Sequence, residues 1–213
     1  MCKFDRYKVL LSLMVIVLIT VSPGAVRAHQ FGLVFVAPLS GENAVQGKRA
    51  LDGLMLATEE EDAHEFEESD GHLGGLDSYV FTVDSAQESR VILEQLDNLI
   101  GAHQPAFITG LFNAKTGKLL ENATDGKDIV LFNPDESVMW QMSKGAPRNL
   151  TTVNGQPFLS AMQKKYGYVP GTSAYRGYIA ARLISAVVRS LTLNPAGNIS
   201  ATSKAMKQEQ NSL

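Results

Sequence analysis

The chain has 213 residues, 45% of them hydrophobic and 19% charged, with a formal net charge of -3 at pH 7. This length fits one ordinary domain with an adequate core. The acidic balance argues against a nucleic-acid partner, because binding to phosphates requires a basic face. The single cysteine, Cys2, argues against any intramolecular disulfide.

Residues 1–28 have the three parts of a secretory signal. A basic start is followed by an apolar run over residues 9–21 and by Val26-Arg27-Ala28, with small residues at the two positions that a signal peptidase reads. An apolar run of about 13 residues is short of the roughly 20 that a membrane-spanning helix needs, so cleavage near Ala28 is favoured over an uncleaved anchor. We therefore predict a soluble periplasmic protein whose formal charge falls from -3 to -6, since the signal removes four basic residues and one acidic residue.

The first half of the remaining chain predicts two strands separated by a helix. A buried strand at 31–37 runs into a small-residue turn and a helix that starts at the pair Asn43 and Gln46. An acidic, glycine-containing stretch that ends at Gly75 is typical of a solvated connection, and residues 79–83 form the second strand.

The second half continues the alternation of helices and strands. Ser85 and Glu88 predict a capping box for a helix that ends at Gly101. The remaining predicted elements, in order, are a strand at 106–109, a helix at 114–123, a strand at 129–132, a loop at 143–156, and helices at 158–166 and 173–191.

These elements predict an α/β fold class: a single-lobe open parallel sheet of about four or five strands, with helices on both faces. The lobe occupies residues 29–192, and residues 193–213 form a polar, disordered tail. The carboxyl ends of parallel strands lie at one edge of a sheet, where open α/β sheets bind ligands. The predicted ligand-binding edge consists of residues 39–46, 84–85, 110–116 and 133–137.

Several short stretches resemble a known family through their order along the chain. They are Pro38-Leu39-Ser40-Gly41 followed by Gly47 and Gly53, Gly74-Gly75 followed by Val83-Asp84-Ser85, Ile108-Thr109-Gly110 followed by residues 113–117, and residues 158–167. Together they resemble the periplasmic solute-binding proteins of the branched-chain amino acid (leucine-binding, type I) ABC transporter family. In that family a second lobe is inserted where this chain has only the short loop 149–156. The chain thus resembles a first lobe without the second.

The resemblance also implies where a ligand would lie. The family holds the ligand's carboxylate with backbone N–H groups and hydroxyls at the ends of the third and fourth strands, and some relatives carry an aromatic residue in the first turn, near the position of Gln46. The matching positions here are Asn113, Ala114, Thr116, Asp135, Glu136 and Ser137 for the strand ends, and Ser40 and Gln46 for the first turn. Asn113 and Ser137 are equally consistent with helix and turn caps. The carboxylates of Asp135 and Glu136 would repel a bound carboxylate unless they point away.

The resemblance implies a component of ABC-type amino acid or small-amide uptake that binds its solute weakly or with a partner's help. Candidate partners are an ABC permease, another periplasmic protein, or a second copy in a homodimer. The alternative is a periplasmic protein-interaction or accessory module, derived from such a receptor, that no longer binds solute.

No pattern in the sequence predicts an enzyme or a cofactor. The chain has no nucleophile elbow, phosphate-cradling glycine loop or zinc helix. His64 and His72 lie in an acidic run, but their spacing matches no closed metal site, and acidic segments of this kind usually remain solvated. We therefore predict a protein without catalytic activity and without a metal.

Overall fold

The computed structural model describes residues 30–62, 69–134 and 157–193. The elements, in chain order, are β1 (Gln30–Ala37), α1 (Ala44–Glu60), β2 (His72–Leu73), β3 (Leu76–Asp84), α2 (Ser89–His103), β4 (Phe107–Gly110), α3 (Ala114–Thr124), β5 (Val130–Leu131), α4 (Phe158–Tyr166) and α5 (Thr172–Leu193). The predicted signal, the loop 149–156 and residues 194–213 lie outside this description. No helix within it is long and apolar enough to cross a bilayer.

The strands form one sheet in the order β2-β3-β1-β4-β5. The strand β1 pairs in parallel with both β3 and β4, and β4 pairs in parallel with β5. Val36, near the end of β1, lies opposite Val83 on one side and Gly110 on the other. The carboxyl ends of three neighbouring strands therefore meet at one edge, as the sequence predicts, and the predicted single-lobe α/β fold is confirmed.

Helices cover both faces of the sheet because β1 is apolar on both of its faces. Its residues Leu33 to Ala37 are all 0% exposed, the continuous pattern that is typical of a buried parallel strand. On one face, Leu33 and Phe35 belong to a core with residues of α1, α4 and α5. On the other face, Val34 and Val36 belong to a core with residues of α2 and α3.

The helices α1 and α5 contact each other through their backbones. An added Cβ at Gly53 would overlap the carbonyl oxygen of Ala174, and one at Gly177 would overlap the carbonyl oxygen of Ala50. Glycine at these two positions is what allows so close an approach. The beginning of α5 is therefore held against α1, which itself follows directly from β1.

The short strand β2 contradicts the prediction of a solvated connection up to Gly75. It pairs antiparallel with β3, and both of its residues are buried. The His72 ring lies between two carboxylates, with Nδ1 2.9 Å from Asp62 and Nε2 2.8 Å from Asp77. These contacts hold an edge strand that its acidic surroundings conceal in the sequence. His64 lies outside the described residues.

The predicted ends of α2 are also wrong. The helix begins at Ser89, with Glu88 as its N-cap three residues after the predicted cap Ser85, because the Asp84 carboxylate accepts the Ala86 N–H at 3.0 Å and extends the turn. It continues through Gly101 to His103, and Gln104 ends it in the left-handed conformation with φ 48°. The start of α1 is predicted correctly, but Asn43 makes no side-chain capping bond there.

Candidate functional site

A groove of about 760 Å³ lies at the carboxyl edge of the sheet. The turns that follow β1, β3 and β4 form most of its lining, and the first two turns of α5 complete it. The groove thus occupies the edge where open α/β sheets bind ligands.

Three of the predicted ligand-binding residues line this groove. They are Ser40, which is half-buried, and Gln46 and Asn113, which are exposed. The side chain of Asn113 accepts the Thr116 N–H at 2.9 Å, so it caps α3 as well as facing the groove. Thr116 is buried and Ala114 opens α3, and neither lines the groove. Asp135, Glu136 and Ser137 lie outside the described residues and stay predictions.

Asp84 organises one side of the groove. Its Oδ1 accepts backbone N–H groups from Leu39 at 2.8 Å, Ser40 at 3.3 Å and Ala86 at 3.0 Å. Its Oδ2 accepts the Gln87 side-chain amide at 3.0 Å, and that amide also reaches the Ser40 hydroxyl at 3.2 Å. One carboxylate therefore ties the turn after β1 to the turn after β3.

These hydrogen bonds change the acidity of Asp84. Partial burial acts to raise its pKa, but the hydrogen bonds from Ser40, Gln87, Ala86 and Leu39 outweigh burial and hold the pKa well below its usual range. The carboxylate is therefore ionised at neutral pH, and its oxygens are engaged by the protein's own donors.

We expect Asp84→Asn to destabilise the protein by about 2 kcal/mol at pH 7, because an amide cannot accept all of these hydrogen bonds. The folded pKa lies below the unfolded value of about 3.9, so the unfolded chain takes up the proton first as the pH falls. The difference between the wild type and the variant should therefore shrink below about pH 4. Urea unfolding at pH 7, 4 and 3 measures it, and a difference that stays constant with pH would contradict this assignment.

The contribution of α5 to the groove is absent from the sequence-based prediction. Thr172, Ser173 and Arg176 line the groove on the side of this helix. The Arg176 Nε donates to the Pro134 carbonyl at 2.9 Å, just beyond β5. The sequence contains the Gly171-Thr172-Ser173 helix start, but only the packing of α5 against α1 brings that start to the edge of the sheet.

The groove combines hydrogen-bond donors with few charges. The first turns of α1, α3 and α5 lie at this edge. Some of their N–H groups are already engaged, since Ala44 donates to the Gly41 carbonyl and Thr116 to Asn113, and the side chains that line the groove supply further donors. The charged residues that line the described part of the groove are Glu42 and Arg176. Among the described residues, no group of three or more His, Cys, Asp or Glu side chains is placed to hold a metal ion. The arrangement is suited to a small polar solute that carries hydrogen-bond acceptors.

Comparison with solved structures finds ABC transporter substrate-binding proteins. One from Sphaerobacter thermophilus is 16% identical, over 72% of this chain and 44% of that protein, with a TM-score of 0.42. An amino acid ABC transporter substrate-binding protein from Pseudomonas fluorescens Pf-5 is 13% identical, over 83% of this chain and 82% of that protein, with a TM-score of 0.49.

A third similar structure is a solute-binding protein of an ABC transporter from Rhodopseudomonas palustris HaA2, in complex with p-hydroxybenzoic acid. It is 12% identical, over 72% of this chain and 44% of that protein, with a TM-score of 0.39. The chain thus spans less than half the length of this protein and of the Sphaerobacter protein. No family model matches the chain, and no curated protein matches it.

Proposed function

We propose that this protein is a periplasmic substrate-binding-protein-like component of an ABC-type uptake system and binds an amino acid or a small amide. The observation that carries the proposal is the groove at the carboxyl edge of the sheet, which Ser40, Gln46 and Asn113 line. The order of the short motifs along the sequence supports the same class of protein.

The affinity of a single lobe for such a solute is low. A small ligand is held most tightly in a cavity that buries most of its surface, whereas this groove covers the ligand from one side. The best small ligands gain about 1.5 kcal/mol per heavy atom, and only when they are well buried. Dissociation constants in the millimolar range follow, unless a second wall is supplied by an ABC permease, another periplasmic protein or a second copy of the chain.

The protein reaches the periplasm by secretion. Residues 1–28 direct the chain across the inner membrane, and the signal is removed near Ala28. The protein then works in the periplasm as a lobe without disulfides, with no catalytic step of its own. Its contribution to uptake is to bind and present the solute.

A screen of amino acids and small amides tests the proposal, with thermal shift as the first readout and calorimetry as the second. We expect at least one solute to bind with a millimolar dissociation constant. Gln46→Trp, which places a large side chain in the groove, should weaken that binding at least fivefold.

Gln95→Trp is the matched control, because Gln95 is exposed on α2 and does not line the groove. It should leave the affinity unchanged. The absence of binding by every solute in the screen would contradict the proposal and favour the alternative, an interaction or accessory module that no longer binds solute. Equal losses of affinity in Gln46→Trp and Gln95→Trp would place the binding site elsewhere.

A further inference from the structure

The guanidinium of Arg176 is a positioned cation at the wall of the groove. Arg176 is half-buried in the second turn of α5 and lines the groove. Its bond to the Pro134 carbonyl uses the Nε–H, which is one of five N–H donors on the side chain. That bond fixes the direction of the planar group and leaves the two terminal nitrogens to bind an acceptor.

Arg176 differs from the other arginines of the α1 and α5 layer in its partners. Arg182 and Arg189 both pair with the Glu61 carboxylate, and Arg49 lies 4.9 Å above the Tyr168 ring. Within the part of the chain that the structure describes, no carboxylate forms an ion pair with Arg176. Its charge is therefore available to a bound anion.

The donors of the groove fall into two sets. Arg176 and the start of α5 form one set, and the Asn113 side-chain amide, whose Oδ1 accepts the Thr116 N–H while its Nδ2 is a donor, forms the other. Against these donors, the described lining offers one carboxylate, that of Glu42, to a ligand's ammonium group. The Asp84 carboxylate is not available for that purpose, because its oxygens accept four hydrogen bonds from the two turns beside the groove.

We propose that Arg176 is the specificity-determining residue of the groove and that it selects small solutes with two carboxylates. One carboxylate binds the Arg176 guanidinium, and the other binds the side-chain amide of Asn113 at the start of α3. Dicarboxylates and acidic amino acids are therefore preferred over neutral amino acids of the same shape. This inference rests on the proposed function, because it names the class of solute that the same groove binds.

Glutamate and glutamine provide the test, because they have almost the same shape and differ by one negative charge. A hydrogen bond to a charged group contributes more than a neutral one, and the difference corresponds to about a tenfold change in affinity. We expect NMR titration of the wild-type protein to show glutamate, and also glutarate, binding about tenfold more tightly than glutamine. Arg176→Gln should reduce this ratio to about one.

Two further variants separate the role of Arg176 from general effects of charge and folding. Lys118→Gln removes a cation from an exposed site on α3, where Lys118 pairs with Glu121, and should leave the ratio unchanged. Arg176→Lys keeps the charge without the planar fork and should give an intermediate ratio. Arg176→Lys also serves as the test if the Arg176→Gln protein does not fold.

The possible results of these titrations separate the selection of dicarboxylates, the role of Arg176 and the proposed function. Glutamine binding as tightly as glutamate, or a ratio that survives Arg176→Gln, would overturn the selection of dicarboxylates while the proposed function stands. A ratio that falls equally in Lys118→Gln would assign it to overall charge and overturn the role of Arg176. The absence of binding by every solute would contradict both the inference and the proposed function.

Discussion

Gly177→Ala is expected to lower the free energy of unfolding by about 3 kcal/mol. The added methyl group would overlap the carbonyl oxygen of Ala50, and the nearest atoms are backbone atoms of α1 that no side-chain rotation can move. The two helices must separate to accommodate it, which opens the core between them. Equilibrium urea unfolding, followed by circular dichroism, measures the loss.

Gly101→Ala is the matched control for this substitution. Gly101 also lies inside a helix, but among the described residues no atom of another element lies within 4 Å of an added Cβ there. Alanine restricts the unfolded chain and favours the helix, so this variant should gain about 0.5–1 kcal/mol. Opposite signs for the two substitutions would identify close packing as the cause. A loss below about 1 kcal/mol for Gly177→Ala would show that α1 and α5 are not in backbone contact.

Glu61→Ala is expected to cost about 3 kcal/mol, because its carboxylate is a buried junction between three elements. The side chain is 3% exposed, and it accepts hydrogen bonds from Arg182 and Arg189 at 3.2 and 2.9 Å. It also accepts the Ser185 hydroxyl at 2.7 Å and the Gly74 N–H at 3.0 Å. Its loss would weaken the attachment of α5 and of the turn between β2 and β3 to the end of α1.

A surface carboxylate supplies the comparison for Glu61. Glu121 pairs with Lys118 at 3.0 Å on the exposed face of α3, and both side chains are more than half exposed. Exposed pairs of this kind contribute at most about 1 kcal/mol, so Glu121→Ala should have little effect on urea unfolding. If the two alanine variants lost similar amounts, the burial of Glu61 would not be the source of its contribution.

Much of the fold could be predicted from the sequence because its strongest signals are local. The continuous apolar run of β1 indicates a strand that is buried on both faces, and the spacing of Leu51, Leu54 and Met55 indicates one face of α1. Such patterns are set by which side of an element faces the core. They predict the alternation of elements and therefore the edge at which the strands end.

The errors arose where contacts distant in sequence override local signals. The strand β2 has two residues, and beyond its local pairing with β3 it is held by the turn that follows it, where the Gly74 N–H donates to the Ser185 hydroxyl of α5 at 3.1 Å. The late start of α2 depends on Asp84, whose bonds to Leu39 and Ser40 span more than 40 residues. No local pattern reports such interactions.

Some residues of the groove could be predicted from the sequence and others could not. Ser40 and Asn113 directly follow strands, so the rule for parallel sheets places them at the edge. Arg176 belongs to α5, which the sequence predicts only as a helix that covers the sheet. Its position depends on the glycines Gly53 and Gly177, which determine how closely α5 approaches α1.

The backbone contact between α1 and α5 also affects the rates at which a solute would bind and dissociate. It joins the turn after β1 to the first turns of α5 as one stiff body, so this wall of the groove exists before any solute arrives. Exchange is then governed by diffusional encounter and weak retention rather than by a slow rearrangement of the chain. Rapidly averaged NMR signals during titration are the natural behaviour of such a preformed surface.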